Sequence, residues 1–210
     1  MSPHTYRIPA ATRRVEETIR GSRFIATIGH APTPETAREF ITGIQNEFPS
    51  ATHNCWAFQA GPPGDGRILG MSDDGEPHGT AGQPMLNVLT HSDIGEVVVV
   101  VTRYFGGIKL GRGGLVRAYS GMVKRAAADL ICREIVPMSA VEVNVDYAWV
   151  SIIERAAALF NLEPMDRIFG DTMVARFHLP ENRLDDFRQW LLEQTRGSAK
   201  IRLKSADEKW

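Results

Sequence analysis

Five consecutive valines, Val97–Val101, constrain this chain more than any other stretch. β-branched side chains favour extended backbone, and successive side chains of a strand point to opposite faces. A strand over Glu96–Tyr104 with valine at every central position therefore needs apolar cover on both faces, which makes it a buried strand.

The neighbouring elements follow from periodicity and turn chemistry. Arg13–Ile19 and Ser22–Gly29 read as strands joined at Gly21, and Thr52–Ala60 reads as a third. Thr33-Pro34 marks a helix start. Ala37, Phe40, Ile41, Ile44 and Phe48 then keep helical spacing until Pro49. The GPPGDG segment Gly61–Gly66 is a turn, Ile68–Met71 a short strand, and a helix begins near Pro84 with Met85, Leu86, Val88 and Leu89. After Gly114 comes a helix of about five turns, with Val116, Tyr119, Val123, Ala126 and Leu130 as its inner stripe.

Near Pro137 the organisation starts again. Val141, Val143 and Val145 alternate with Glu142, Asn144 and Asp146 as a half-exposed strand. Trp149, Ile152, Ile153, Ala156 and Phe160 give a helix, and Gly170-Asp171 turns a hairpin between Leu162–Phe169 and Thr172–Leu179. Leu184, Phe187 and Leu191 mark a second helix, and Ala199, Ile201 and Leu203 a last strand. The order βαββαβ is the split βαβ, ferredoxin-like arrangement. The expected fold class is α+β, with domains at 1–136 and 137–210.

A hydrophobic content of 43% with 23% charged residues describes a globular chain rather than a disordered one. A net charge of −1 excludes a polycation. Two cysteines, Cys55 and Cys132, are too few for a disulfide scaffold and suit a reducing compartment. Met1–Ala11 has no apolar leader core, and the valine run is far shorter than the roughly 20 residues of a membrane span. The expectation is a cytoplasmic protein with no membrane partner.

Two glycine-rich blocks carry the candidate function. In Ser72–Gly82, three carboxylates fall within four residues, among three glycines and a proline that prevent a regular element. Asp73, Asp74 and Glu76 are oxygen ligands of the kind that hold Mg²⁺. A second functional reading is a docking surface shaped by the loop, with Thr80 capping the next helix; the plainer reading is a solvated acidic turn. In Arg103–Gly114, a buried strand passes into a helix, where oriented amides favour anions. From Arg103 to Arg125 there are six basic residues and no acidic one. Such a local field suits phosphate, and the plainer reading is a tight turn whose basic residues shield a helix. Its anion-binding candidates are Arg103, Tyr104, Gly106, Gly107, Lys109, Gly111, Arg112, Gly113, Gly114 and Arg117, with Tyr104 and Phe105 as stacking surface. Neither a P-loop nor a G-x-G-x-x-G motif is present. His53 and Cys55, two apart on a strand, share a face. His53 is a candidate acid–base partner of Asp73 or Asp74, while a hydrogen-bonded His53 beside a buried Cys55 is the plainer alternative.

These segments together resemble the YigZ/IMPACT family. The resemblance is carried by Ser22–Ala26, His53–Ala57, Ser72–Pro77, Gly79–Gly82, Arg103–Gly107, Lys109–Gly111 and Gly113–Tyr119, in that order, over about residues 16–125. The remainder is similar to the second domain of the bacterial YigZ branch. Gln83 stands where lysine is commoner, and Arg112 at a variable position. The resemblance implies an N-terminal α/β sandwich like those of certain ribosomal proteins and the RNase P protein. It implies a C-terminal βαββαβ domain similar to the fifth domain of elongation factor G. It also implies a role in regulating translation initiation, because eukaryotic members restrain a starvation-responsive kinase by competing for its activator. It attaches no catalytic activity. The leading expectation is a non-catalytic protein that binds RNA or a ribosome-associated partner. One alternative is an enzyme that uses Mg²⁺ on a phosphorylated small molecule or nucleotide. Another is a protein-docking module with an apolar patch near Trp56 or Tyr104.

Overall fold

The structure, a computed structural model, describes residues 5–64, 66 and 68–204. It divides into two compact units, Tyr6–Ile135 and the chain from Val136 onward. Part of the expected turn Gly61–Gly66, at Asp65, lies outside the described residues.

In the first unit, five strands form one sheet: β2 (Arg13–Ile19), β3 (Ser22–His30), β4 (His53–Gln59), β5 (Leu69–Ser72) and β6 (Val97–Tyr104), numbered after a short β1 (Tyr6–Pro9). Their spatial order is β2-β3-β6-β4-β5, and every neighbouring pair is antiparallel. The valine strand β6 is the middle strand, and Val97–Val101 are all fully buried. The odd-numbered valines face one core with α2 (Gly82–Thr90) and α3 (Arg112–Ala128). Val98 and Val100 face a second core with Ala37, Ile41 and Ile44 of α1 (Pro34–Glu47). One strand thus serves two cores, because helices cover both faces of the antiparallel sheet. Thr33 caps α1 with its side chain and shares a reciprocal pair of bonds with Thr36.

The expected inner stripe of α3 needs correction. Val116 is 37% exposed, and the buried positions are Leu115, Ala118, Tyr119, Met122, Val123 and Ala126. The helix starts at Arg112, so Gly113 and Gly114 form its first turn instead of preceding it. Leu130 is buried but lies beyond the helix end. A second difference is the ribbon of β1 with β7 (Cys132–Ile135), paired from Tyr6↔Ile135 to Pro9↔Cys132. Each of its strands has four residues, too short to show a periodicity.

The second unit runs β8 (Met138–Val145), α4 (Val150–Phe160), β9 (Pro164–Phe169), β10 (Met173–Pro180), α5 (Leu184–Gln194), β11 (Lys200–Lys204). Its sheet order is β11-β8-β10-β9, antiparallel throughout. Val141, Val143 and Val145 pack with Phe177, Leu179, Ile153, Phe160 and Phe187. Phe187 makes edge-to-face contacts with both Phe160 and Phe177. Among the described residues no helix is long and apolar enough to cross a membrane.

Double cover of β6 has a measurable signature. Val98→Ala and Val99→Ala should each lower the urea unfolding free energy of the protein by about 2 kcal/mol. A loss confined to one of the two would mean that one face of β6 is open.

Candidate functional site

The two glycine blocks meet. β4 lies between β5 and β6, so the loop leaving β5 and the C-terminal end of β6 emerge on the same side of the sheet. There Arg103 Nη1 donates to Glu76 Oε1 at 2.6 Å, with both side chains buried. The Tyr119 hydroxyl donates to the same oxygen at 2.7 Å. Arg103 Nη2 donates to Ser22 Oγ at 3.1 Å, and Ser22 Oγ also accepts the Gly106 amide at 3.2 Å. The Arg103 guanidinium lies 5.4 Å from the Phe24 ring centroid and 5.5 Å from that of Phe105. Farther along, Arg112 Nη2 donates to the His78 carbonyl at 2.9 Å, a second tie between the blocks. Gly106 must be glycine, since a Cβ there would sit 1.8 Å from the Gly21 carbonyl oxygen.

The acidic side chains of the first block are engaged by protein groups. Asp73 Oδ1 accepts the Ala81 and Gly82 amides at 3.0 and 2.8 Å, and its Oδ2 accepts the Gly79 amide at 2.8 Å. Asp73 therefore caps α2 from nine residues upstream of Gly82. Thr80, the expected cap, instead donates its hydroxyl to the Pro77 carbonyl at 2.6 Å and turns the loop. Burial alone would raise the Asp73 carboxyl, but the amides of Gly79, Gly82 and Ala81 and the nearby His78 hold it below its usual value. Asp74 Oδ2 accepts the Asn54 amide at 2.5 Å. Among the described residues, no group of three or more His, Cys, Asp or Glu is placed to hold a metal ion.

His53 and Cys55 both turn toward this loop. His53 Nδ1 donates to the Asp74 carbonyl at 2.7 Å, and its Nε2 lies 4.0 Å from Glu76 Oε1. The expected carboxylate partners, Asp73 and Asp74, thus give way to a backbone carbonyl and to Glu76. The Cys55 thiol donates to the Asp73 carbonyl at 2.9 Å. Burial pushes that thiol up to about 12, opposed by the Tyr119 hydroxyl and reinforced by the carboxylates of Glu76, Asp74 and Asp73. It stays protonated and unreactive at neutral pH. Burial likewise drives the Tyr119 phenol far above its usual value, with Cys55 and Glu76 adding to the effect.

Arg103, expected to face an anion, is only 4% exposed and is held by Glu76 and Ser22. Arg125 pairs with Glu17 at 2.9 Å. Lys109, Arg112, Arg117 and Lys124 are exposed and have no carboxylate partner among the described residues. Arg117 folds back beside Gly113 in the first turn of α3. Gly107 and Gly111 adopt φ of 85° and 74°, conformations that other residues rarely take, and so shape the loop before α3. On that loop Phe105 is 47% and Ile108 55% exposed. Tyr104 is half-buried beneath Arg23, 5.7 Å from its ring centroid. Trp56 stacks on Phe58 at 5.8 Å, and the exposed apolar side chains near Tyr104 are Phe105 and Ile108. Sequence reading placed Tyr119 only in the core and did not single out Ser22. A buried tyrosine hydroxyl needs a polar partner, and that was the one available signal.

Two outcomes follow from this geometry. Arg103→Met should destabilise the protein by about 4 kcal/mol, because it leaves Glu76 buried and unpaired. Adding Glu76→Gln should recover part of that loss in the same urea titration. The Asp73 carboxyl, depressed in the folded protein, contributes stability that is complete above its unfolded value of about 4. That stability is lost as pH falls through the folded value. Asp73→Asn should therefore be less stable at pH 7 and lose less stability on acidification, measured by urea titrations across that range.

Residues 20–127 match the Impact N-terminal domain family, and residues 143–198 match a domain of unknown function, DUF1949. IMPACT family member YigZ of Escherichia coli is 39% identical over 194 residues, 92% of this chain and 95% of that relative. An IMPACT family member of Haemophilus influenzae is 39% identical over 204 residues, 97% of this chain and 98% of that relative. Protein IMPACT of Mus musculus is 31% identical over 112 residues, 52% of this chain and 35% of its own length. A crystal structure described as that of a hypothetical protein superposes with a TM-score of 0.71 at 37% identity, covering 98% of this chain and 100% of that one. With the two joined glycine blocks falling inside the matched N-terminal region, the chain belongs to the YigZ/IMPACT family as a bacterial YigZ-type member.

Proposed function

We propose that this chain is a non-catalytic, cytoplasmic regulator of translation that binds RNA through the first unit. The observation that carries this reading is that Lys109, Arg112, Arg117 and Lys124 are exposed without a carboxylate partner among the described residues, on the loop and helix that follow the exposed Phe105 and carry the exposed Ile108. Cations without carboxylate partners are free to release counterions from a phosphate backbone, and an exposed aromatic ring supplies a stacking face. The domain arrangement supports it. We read 1–136 as a sandwich of the ribosomal-protein and RNase P protein type. We read 137–210 as a ferredoxin-like domain similar to the fifth domain of elongation factor G. The outer face of that second sheet carries Glu142, Asn144, Val174, Arg176 and His178, with Lys200 and Arg202 beside them, and among the described residues it holds no aromatic pair of the kind on which such sheets stack bases. We read the first unit as the RNA-binding one. A Mg²⁺-dependent enzyme would need the carboxylates of Asp73 and Glu76, which already serve amides and Arg103.

The purified protein should bind RNA or ribosomes with an affinity that falls steeply with salt. Lys109→Ala/Arg112→Ala/Arg117→Ala should bind weakly, with the log–log salt slope reduced by about 2 to 3. Arg38→Ala on α1, whose partner is Glu35, should match wild type. Salt-insensitive binding, or none, by the wild-type protein would remove the basis of this reading.

A further inference from the structure

A groove of about 690 Å³ runs between α2 and α3, a size in the range of small-ligand sites. Its course follows from the sheet. β5 and β6 are each antiparallel to β4, so they run the same way, and so do the helices that follow them. Both helices begin at the end where the glycine blocks meet, with Gly79 lining the groove there. Pro84, Val88 and Val116 supply an apolar surface. Gln83, Asn87 and His91 stand on successive turns of one wall, and Ser120 and Lys124 on the other.

The polar groups along these walls are half-used. Gln83 Nε2 donates to Asn87 Oδ1 at 2.8 Å, which leaves the Gln83 oxygen and the Asn87 amino group open. Ser120 Oγ donates to the Val116 carbonyl at 2.7 Å and keeps its lone pairs. His91 Nδ1 donates to the Asn87 carbonyl at 2.7 Å and keeps Nε2. The groove thus offers donors and acceptors side by side above an apolar surface. Lys124 stands in one wall, Arg112 stands one turn N-terminal to Val116, and among the described residues no carboxylate lines the groove. Flat apolar faces, edges that mix donors with acceptors and an anionic backbone are the properties of a single-stranded nucleotide.

We infer that the α2/α3 groove is a nucleobase subsite: an unpaired base lies over Pro84, Val88 and Val116, its edge meets Asn87 and Ser120, and the adjoining phosphates meet Lys124 and Arg112. This rests on the reading of the first unit as an RNA-binding surface, and it adds base selectivity to that surface. The exposed cations hold the backbone; the groove reads the base.

The test is fluorescence anisotropy with labelled homopolymers of uridine, cytidine and adenosine, at several salt concentrations, on the full chain. Wild type should prefer one homopolymer. Asn87→Ala/Ser120→Ala should bind that homopolymer about tenfold more weakly, the loss expected for two hydrogen bonds, and the others almost unchanged. Its salt slope should equal that of wild type, unlike the triple cation variant. A 4-thiouridine strand should crosslink to Gly82–Thr90 or Val116–Lys124. Equal affinities of the groove variant and wild type for every homopolymer would overturn the subsite while leaving RNA binding by the cations intact. So would displacement of RNA by polyglutamate as effectively as by unlabelled RNA, since that outcome marks an acidic protein segment as the occupant. Absence of any RNA binding by wild type would overturn the RNA reading itself.

Discussion

The shared acceptor Glu76 Oε1 holds together the end of the first unit where the glycine blocks meet. Arg103 comes from the end of β6, Tyr119 from the second turn of α3, and Glu76 from the loop after β5. One carboxylate oxygen therefore fixes a strand, a helix and a loop at a single point. Burial makes this expensive to form and more expensive to break. Each ion loses its hydration, and the loss of either leaves the other a buried charge held mainly by a neutral hydroxyl, Tyr119 or Ser22. Ser22 extends the tie to β3 and to Gly106, where the chain comes too close to Gly21 for any side chain. Asp73 fixes the other end of the loop by taking the free amides that begin α2.

Once these charges are committed inside, the surface is left with a simpler character. Arg103 and Glu76, both candidates by sequence, are buried in one ion pair. Of the basic residues of that block, Lys109, Arg112, Arg117 and Lys124 remain exposed. The acidic block contributes shape more than charge, because its carboxylates serve amides and Arg103. A division of labour results, in which buried ions set the geometry and unpaired ions face outward.

The architecture was legible wherever a repeat ran long enough. Five valines announced a doubly covered strand, and alternating valines at 141, 143 and 145 announced a strand with one buried face. Thr33-Pro34 announced a helix start by local chemistry alone. Features that depend on distant partners were not legible. The β1–β7 ribbon joins segments more than 120 residues apart (Tyr6 with Ile135) and has no internal period. Asp73 caps a helix from outside the usual capping position, so Thr80 took its place in the local reading. The pairing of Arg103 with Glu76 could not be told from an exposed basic block, since composition is the same whether a guanidinium points in or out.

The parallel course of α2 and α3 has a further electrostatic meaning. Each helix carries about half a positive charge at its start and half a negative charge at its end. Side by side and pointing the same way, the two fields add instead of cancelling. At the start of α2 the Asp73 carboxylate offsets this charge, but α3 has Gly111 as its cap, with no side-chain acceptor. A potential gradient therefore runs along the groove, positive at the glycine end. It gives any charged strand lying there a preferred polarity as well as a preferred place.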